Sequence, residues 1–372
     1  MGTIDVLVIG GGPAGLAAAI AARSRGLNVT VIDSAVPPID KPCGEGLMPD
    51  GLAALDDLGV TIPSEESHRF RGIRFVSSEF SVDANFPAGH AVGVRRTVLH
   101  RHMIERADQA GVELRWGKAV CGLHRDGASI SGAWIDGELV RARWMIGADG
   151  LNSRVRAWAG LGDARYQRKR FAFRRHYRAA PWSDCMEIHW GAQSQLYITP
   201  IAREEVCLVV ISRDPKLRID EALDDFPAVA RRLRGAEETS SERGALSPTY
   251  RVRRVCGGRV ALIGDASGAV DAITGDGLCL AFRQAERLAQ CLEAGSLQGY
   301  AATHRALARR PALMGELMLT LERPAWLRRR VMRVFAARPE MFARLLAAHV
   351  GAATARELAV SGMALGWGMI AG

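Results

Sequence analysis

Apolar and polar positions along this chain change period several times. Asp5 to Ile9 (DVLVI) is a short apolar run of strand length, and Leu16 to Arg25 has the density of a buried helix. Asn28 to Ile32 (NVTVI) is a second apolar run, so the first thirty-three residues read as a strand, helix and strand. Pro37 to Pro49 is a loop punctuated by Pro, Gly and Asp, followed by a helix through Leu52 and Leu58. Gly72 to Ser77 and Phe80 to Ala84 read as short strands and Thr97 to Ala110 as a helix. Glu113 to Arg125, Ser129 to Trp134 and Glu138 to Ile146 read as strands returning to the first sheet. The alternating runs FAFRRHYRA, CMEIHW, QLYITPI and EVCLVVIS, between Phe171 and Arg213, predict a second, antiparallel sheet. Arg259 to Gly264 is then a buried strand and Leu278 to Ala294 a long helix. The last stretch reads as helices broken at Pro311, Pro324 and Pro339.

Composition narrows the class. The chain is 48% apolar and 24% charged, as in ordinary globular domains, which excludes a disordered or disulfide-stapled chain. Its 372 residues leave room for two or three compact units. The formal charge of +9 raises the question of a polyanionic partner. Only Lys41, Lys118, Lys169 and Lys216 are lysines, and the arginines are scattered rather than clustered, so no nucleic-acid partner is expected. The cysteines at 43, 121, 185, 207, 256, 279 and 291 include no C-x-x-C pair and no zinc-ligand spacing. A reducing, cytoplasmic compartment and no metal are the expectations. No uncharged apolar run reaches the roughly 18–20 residues of a membrane span, and the longest candidate, Leu358 to Gly372, is short.

The chemistry begins between the first strand and helix, at Gly10-Gly11-Gly12-Pro13-Ala14-Gly15. Gly10 makes the tight turn, Gly12 lets backbone approach a pyrophosphate, and Gly15 lets helix and strand pack closely. The helix N-terminus offers free N–H groups and its positive dipole end to phosphates. Asp33, about 20 residues on, is placed to accept ribose hydroxyls, with Ser34 beside it. This predicts dinucleotide binding without separating NAD from FAD. Two further glycine–acid segments follow strands: Gly147-Ala148-Asp149-Gly150, running on to Arg156, and Gly264-Asp265-Ala266-Ser267-Gly268. Gly275-Asp276-Gly277-Leu278 then opens a helix.

In combination, order and spacing these motifs resemble the FAD-dependent oxidoreductases of the p-hydroxybenzoate hydroxylase and geranylgeranyl reductase superfamily. The resemblance implies an α/β chain: a Rossmann-like FAD-binding domain of glutathione reductase type, an inserted antiparallel substrate sheet and a C-terminal helical tail. The expected boundaries are 1–70, 96–165 and 253–310 for the FAD domain, 71–95 and 166–252 for the substrate domain, and 311–372 for the tail. It further implies that Asp265 holds the ribityl chain, that Gly275 to Leu278 sit beside the flavin, and that Asp149, Gly150 and the residues to Arg156 support the pyrophosphate. Arg96 resembles the family arginine that contacts FAD, and Lys41, Cys43, Gly44 and Val120 complete the expected cofactor set. NAD(P)H is the expected reductant, with an external protein donor as the alternative.

Lys41 to Pro49 (KPCGEGLMP) resembles the flavin-side loop of geranylgeranyl reductases, and its Gly-Glu core resembles that of flavin-dependent halogenases, which makes Cys43 and Glu45 catalytic candidates. Gln195 to Pro200 departs from the aromatic signatures of both groups, and the lysine that relays oxidised halogen has no evident counterpart. Alternation puts Gln195, Tyr197 and Thr199 on one face and Glu187 with His189 on one face of the neighbouring strand, so His189 and Tyr197 are acid–base candidates. The first expectation is an NAD(P)H-dependent monooxygenase acting on an aromatic or polyketide-type molecule. Alternatives are saturation of isoprenoid double bonds, halogenation, and a non-catalytic FAD electron-transfer protein. Arginines 328, 329, 330, 333 and 338, interleaved with Trp326, Leu327, Val331, Met332 and Phe335, read as a basic amphipathic helix for peripheral membrane contact and a lipid-like substrate, or as an ordinary packed helix.

Overall fold

A computed structural model describes residues 4–322 and 324–353. Leu358 to Gly372, and with it the end of the expected helical tail, lies outside the described residues. Two large sheets organise the chain. In the first, Glu113–Trp116, Val29–Asp33, Ile4–Ile9, Glu138–Gly147 and Val260–Leu262 lie side by side in parallel. A parallel sheet is covered on both faces, which is why its strands read as unbroken apolar runs. Val6 and Val8 face the helices Pro13–Arg23, Arg96–Gln109 and Gly277–Glu293, while Leu7 and Ile9 face the hairpin Val120–Asp126 and Ser129–Ile135.

The expected strand Glu113 to Arg125 is two strands. Gly117, at φ +68, turns the chain so that Glu113–Trp116 joins the parallel sheet and Val120–Asp126 joins the antiparallel hairpin.

The second sheet is mostly antiparallel, in the order Gly268–Ala269, Arg243–Val252, Ala164–Arg178, Glu205–Ser212, Ser194–Ala202, Cys185–Trp190, Gly72–Val76 and Ser81–Asn85. One face carries Ala172, Ile188, Tyr197, Val209 and Ile211 and packs on the helices Ala325–Ala337 and Pro339–His349. The opposite face carries Phe173, Leu196, Ile198, Leu208 and Val210 and packs on Ile219–Ala222 and Pro227–Leu233. The architecture is therefore the mixed α/β one expected, with a Rossmann-like sheet, an antiparallel sheet and C-terminal helices.

Pro324 and Pro339 stand at helix starts, but Pro311 does not break a helix: it is buried inside Tyr300–Glu322. A proline inside a helix, which removes one backbone hydrogen bond and crowds the preceding turn, costs about 3 kcal/mol. The burial of Met314, Met318, Leu319 and Leu321 along the same helix offsets that cost. No helix among the described residues is long and apolar enough to cross a membrane.

Candidate active site

The glycine turn lies where the first sheet meets the helix Pro13–Arg23, with Gly12 as its N-cap and Pro13 in the first turn, where a missing N–H is harmless. A Cβ on Gly15 would stand 1.8 Å from the Gly10 carbonyl oxygen, so helix and turn close only on glycine. Gly12 is the reverse case: nothing lies within 4 Å of where its Cβ would be, and that space opens in front of the helix N-terminus beside Ala14. Asp33 accepts the Gly11 N–H at 2.7 Å and the Ala35 N–H at 2.8 Å, so it clamps the turn, and the exposed Ser34 follows it. His100, buried, shares a 2.7 Å hydrogen bond with the Gly11 carbonyl oxygen and braces the turn from the other side.

Asp149 is engaged by its own loop and helix. Its carboxylate accepts the Ser153 hydroxyl at 2.5 Å and the N–H groups of Arg154 and Val155 at 2.7 and 3.0 Å. Both oxygens are thus spent on starting the helix Arg154–Trp158, which is a cap role. Gly150, at φ +79, turns toward Lys41, whose Nζ stands 3.7 Å from where a Gly150 Cβ would be. Val120 begins its strand half-buried against the core beneath the hairpin.

Asp265 lines a cleft together with Gly264, Gly268, Gly277 and Leu280. Its carboxylate meets no protein donor among the described residues, while Lys41 and Arg96 both act on it electrostatically. The backbone behind it is firmly held. Tyr250 donates to the Asp265 carbonyl, Gly264 N–H donates to Gln284 at 3.0 Å, and His304 ties Gln284 to Ser267. Gly275 and Gly277 are exposed at the start of the helix Gly277–Glu293, with Leu278 half-buried. Asp276 is buried between them, and burial pushes its carboxyl up against the opposing pull of His349.

The loop carrying Cys43, Gly44 and Glu45 is pinned by the second sheet. Thr199 donates its hydroxyl to the Gly44 carbonyl at 2.7 Å, and the Cys207 thiol approaches the Cys43 carbonyl at 3.8 Å. Glu45 is buried at φ +58; its carboxylate accepts the Arg96 N–H at 3.0 Å and meets His176 Nε2 at 2.7 Å. Arg174, which can only donate, lies 3.0 Å from His176 Nδ1. The neutral ring therefore carries its proton on Nε2 and gives it to Glu45. Glu45, His176 and Cys207, whose ligand atoms fall within 4.8 Å of one another, form one buried polar cluster. Burial pushes the Cys43 thiol up, against the opposing pull of the Arg96 guanidinium, so it is held as the acid.

His189 and Tyr197 are not brought together. His189 stands opposite Leu196 in the ladder and Tyr197 opposite Ile188, so the two point to opposite faces. His189 bonds Glu187 at 2.9 Å against Phe226, in the core remote from the Cys43 loop. Tyr197 faces the flavin-side loops, its hydroxyl 3.5 Å from the Ile273 carbonyl, and burial keeps it protonated. Three side chains of Ala164–Arg178 were missed: Arg170, Arg174 and His176. Their spacing of two with Ala172 between them puts them on one face, a polar stripe inside an apolar strand that signals a buried network.

Arg170 is fully buried and pairs with the equally buried Asp271 at 2.9 Å. Removing one partner of such a pair leaves a buried charge and costs about 3–5 kcal/mol. Arg170→Met is expected to lower the melting temperature, and Asp271→Asn in the same chain to add much less than its own effect. Additive losses in thermal melts would show that the pair is not coupled.

The donor set fits a pyrophosphate-linked dinucleotide: glycines without obstruction at 12, 44 and 277, two long helix N-termini, a free carboxylate at Asp265 and a buried Arg96 Nε without an acceptor. Comparisons with known proteins agree. Residues 3–308 match the family described as "FAD binding domain". Menaquinone reductase of Mycobacterium tuberculosis (strain ATCC 25618 / H37Rv) is 30% identical over 315 residues, covering 79% of this chain and 77% of that protein. Geranylgeranyl diphosphate reductase of Synechocystis sp. (strain ATCC 27184 / PCC 6803 / Kazusa) is 27% identical over 324 residues, covering 80% of this chain and 77% of its own. Among solved structures, flavin-dependent brominase Bmp2 superposes with a TM-score of 0.83 at 20% identity, over 98% of this chain and 99% of that one.

Proposed function

Because the chain belongs to the FAD binding domain family, and is an FAD-dependent oxidoreductase of the monooxygenase, reductase and halogenase kind, we propose that it saturates carbon–carbon double bonds in an apolar, isoprenoid-type substrate. The superfamily resemblance read from the glycine and acid motifs is borne out by that membership. NAD(P)H is the proposed source of electrons. The observation that carries the reading is the position of Cys43, a half-buried thiol in the loop that Thr199 pins against the substrate-side sheet, with Arg96 beside it. The two reductase relatives support the same choice over oxygenation.

FAD would be held by Gly12, Pro13 and Ala14 at its pyrophosphate, Asp33 and Ser34 at its ribose, Asp265 at its ribityl chain, and Lys41, Gly44, Arg96 and Gly275 to Leu278 around its ring. When reduced it supplies a hydride. The protein has three tasks. Met48, Met186, Met318, Met332 and Met341, in one apolar cluster between sheet and helices, form an adaptable, water-free surround for a hydrocarbon chain. Saturation of a double bond takes one hydride and one proton, and the Cys43 S–H would supply the proton to the alkene carbon opposite the one that receives hydride, completing the second new C–H bond. Arg96 then faces the thiolate so formed, stabilising it until solvent returns the proton.

The test is anaerobic turnover of reduced holoprotein with a prenyl alkene in deuterated water. Product carrying one hydride-derived hydrogen and one solvent deuterium is expected. Oxygen-dependent turnover that places labelled oxygen in the product would instead establish the hydroxylase reading.

An apolar substrate is delivered from lipid, and the helix Ala325–Ala337 suits that task. Trp326 is 62% exposed, and Arg329 and Arg333 follow it on the same helical face. Each arginine near an anionic bilayer contributes about 1 kcal/mol. The protein is expected to co-sediment with phosphatidylglycerol vesicles in preference to phosphatidylcholine ones, and Trp326→Ala with Arg333→Glu to weaken this by at least tenfold. Equal binding to both vesicle types would overturn the assignment.

A further inference from the structure

Beside the methionine-lined cluster, the second sheet carries a corner of hydrogen-bond donors that the fold leaves unused. Trp190 and Gln195 stand directly opposite each other in the ladder and are almost completely buried. Among the described residues the Trp190 Nε1–H and the Gln195 Nε2 amide meet no acceptor. Tyr197, two residues from Gln195 on the same face, directs its hydroxyl at oxygens 3.4 and 3.5 Å away, the far limit of a hydrogen bond. A buried donor without a partner costs about 1–3 kcal/mol, so three under-used donors in one apolar corner mark a place where an acceptor belongs.

The charges around the corner say which acceptor. Arg170 is committed to Asp271 and to the Gln195 carbonyl, with Glu322 at 3.6 Å. Arg328, whose guanidinium lies over the Trp190 ring, is held by the carbonyls of Gly191, Leu321 and Glu322. Arg170 is charge-paired with Asp271, although its Nε meets no acceptor among the described residues, Arg328 meets only backbone carbonyls, and two carboxylates, Asp271 and Glu322, belong to the same cluster. A diphosphate head would bring its charges into a buried site beside the carboxylates of Asp271 and Glu322, which repel it. A neutral carbonyl oxygen would take up the donors without such a cost.

We infer that Trp190, Gln195 and Tyr197 form a subsite for a neutral carbonyl-type oxygen, ketone or quinone, at the polar end of an isoprenoid chain. This rests on the reading of the substrate as isoprenoid but not on the reaction. Binding to the oxidised holoprotein, with no turnover, tests it with geranylgeranylacetone, geranylgeranyl diphosphate and squalene in matched detergent. The ketone is expected to bind at least tenfold more tightly than the diphosphate. Tyr197→Phe and Gln195→Met, which are close in volume to the native residues, are each expected to weaken the ketone by about tenfold and leave squalene unchanged. Melting curves on the same samples verify that the variants are folded. A diphosphate that binds as tightly as the ketone, or a ketone indifferent to both folded variants, would overturn the subsite. Discrimination that persists in a protein unable to reduce alkenes would leave the subsite standing and remove only the proposed reaction.

Discussion

Asp265→Ala is expected to fold normally and to emerge from purification with little flavin. The carboxylate takes part in no hydrogen bond within the protein among the described residues, so truncating it removes nothing from the fold. The surrounding backbone keeps its supports, since Tyr250 bonds the Asp265 carbonyl and the Gln284, His304 and Ser267 network holds Gly264. What is lost is a charged acceptor for a ligand hydroxyl. Hydrogen bonds to charged groups are worth about 1.5–3 kcal/mol, which corresponds to a 10- to 150-fold loss of affinity. The ratio of visible flavin absorbance to protein absorbance should fall accordingly while the melting curve of the apoprotein is unchanged. An Asp265→Ala protein that retained its full flavin content would show that the ribityl chain is held elsewhere.

That expectation was legible in the sequence because every part of it is local. A glycine turn, an acid at a strand end and a helix start are separated by a few residues, and each obeys steric rules that read directly from the chain, as the Gly15 contact with Gly10 illustrates. The alternation of the second sheet was legible for the same reason: spacing of two fixes which residues share a face.

The relation between faces of neighbouring strands was not legible, because it depends on register. Alternation made His189 and Tyr197 separate candidates without relating their faces, and the ladder sets His189 opposite Leu196 and so turns it to the face away from Tyr197. The pairs Arg170 with Asp271 and Glu45 with His176 were hidden by sequence separation, being 101 and 131 residues apart. Asp149 was ambiguous for a subtler reason. An acid after a strand followed by a short helix has the same local pattern whether it starts that helix or faces a ligand, and the sequence does not show that this carboxylate accepts Ser153, Arg154 and Val155. Pro311 shows packing overriding propensity, since the helix continues through it where its other side is buried.

Cys43→Ala is expected to lower the rate of alkene saturation by about 10²–10⁴-fold, the range for loss of a positioned general acid, while the rate at which NAD(P)H reduces the enzyme is unchanged. The two half-reactions separate because the thiol serves only the protonation of substrate carbon. Cys43→Ser keeps a proton on a similar atom but one far less acidic, and should fall between the two. The pH dependence has a definite sign. The active form is the protonated thiol, and burial raises its pKa above that of an ordinary thiol, so activity is flat through neutrality and falls only as pH rises through that elevated value. An ordinary cysteine, with a pKa of about 8.5, would lose activity at lower pH. Arg96→Met, by removing the cation that opposes burial, should push the fall to still higher pH and slow the step that forms the thiolate. Stopped-flow measurement of the oxidative half-reaction between mildly acidic and strongly alkaline pH distinguishes these cases. A rate for Cys43→Ala equal to the native rate would assign the proton to another group and overturn the role given to the thiol.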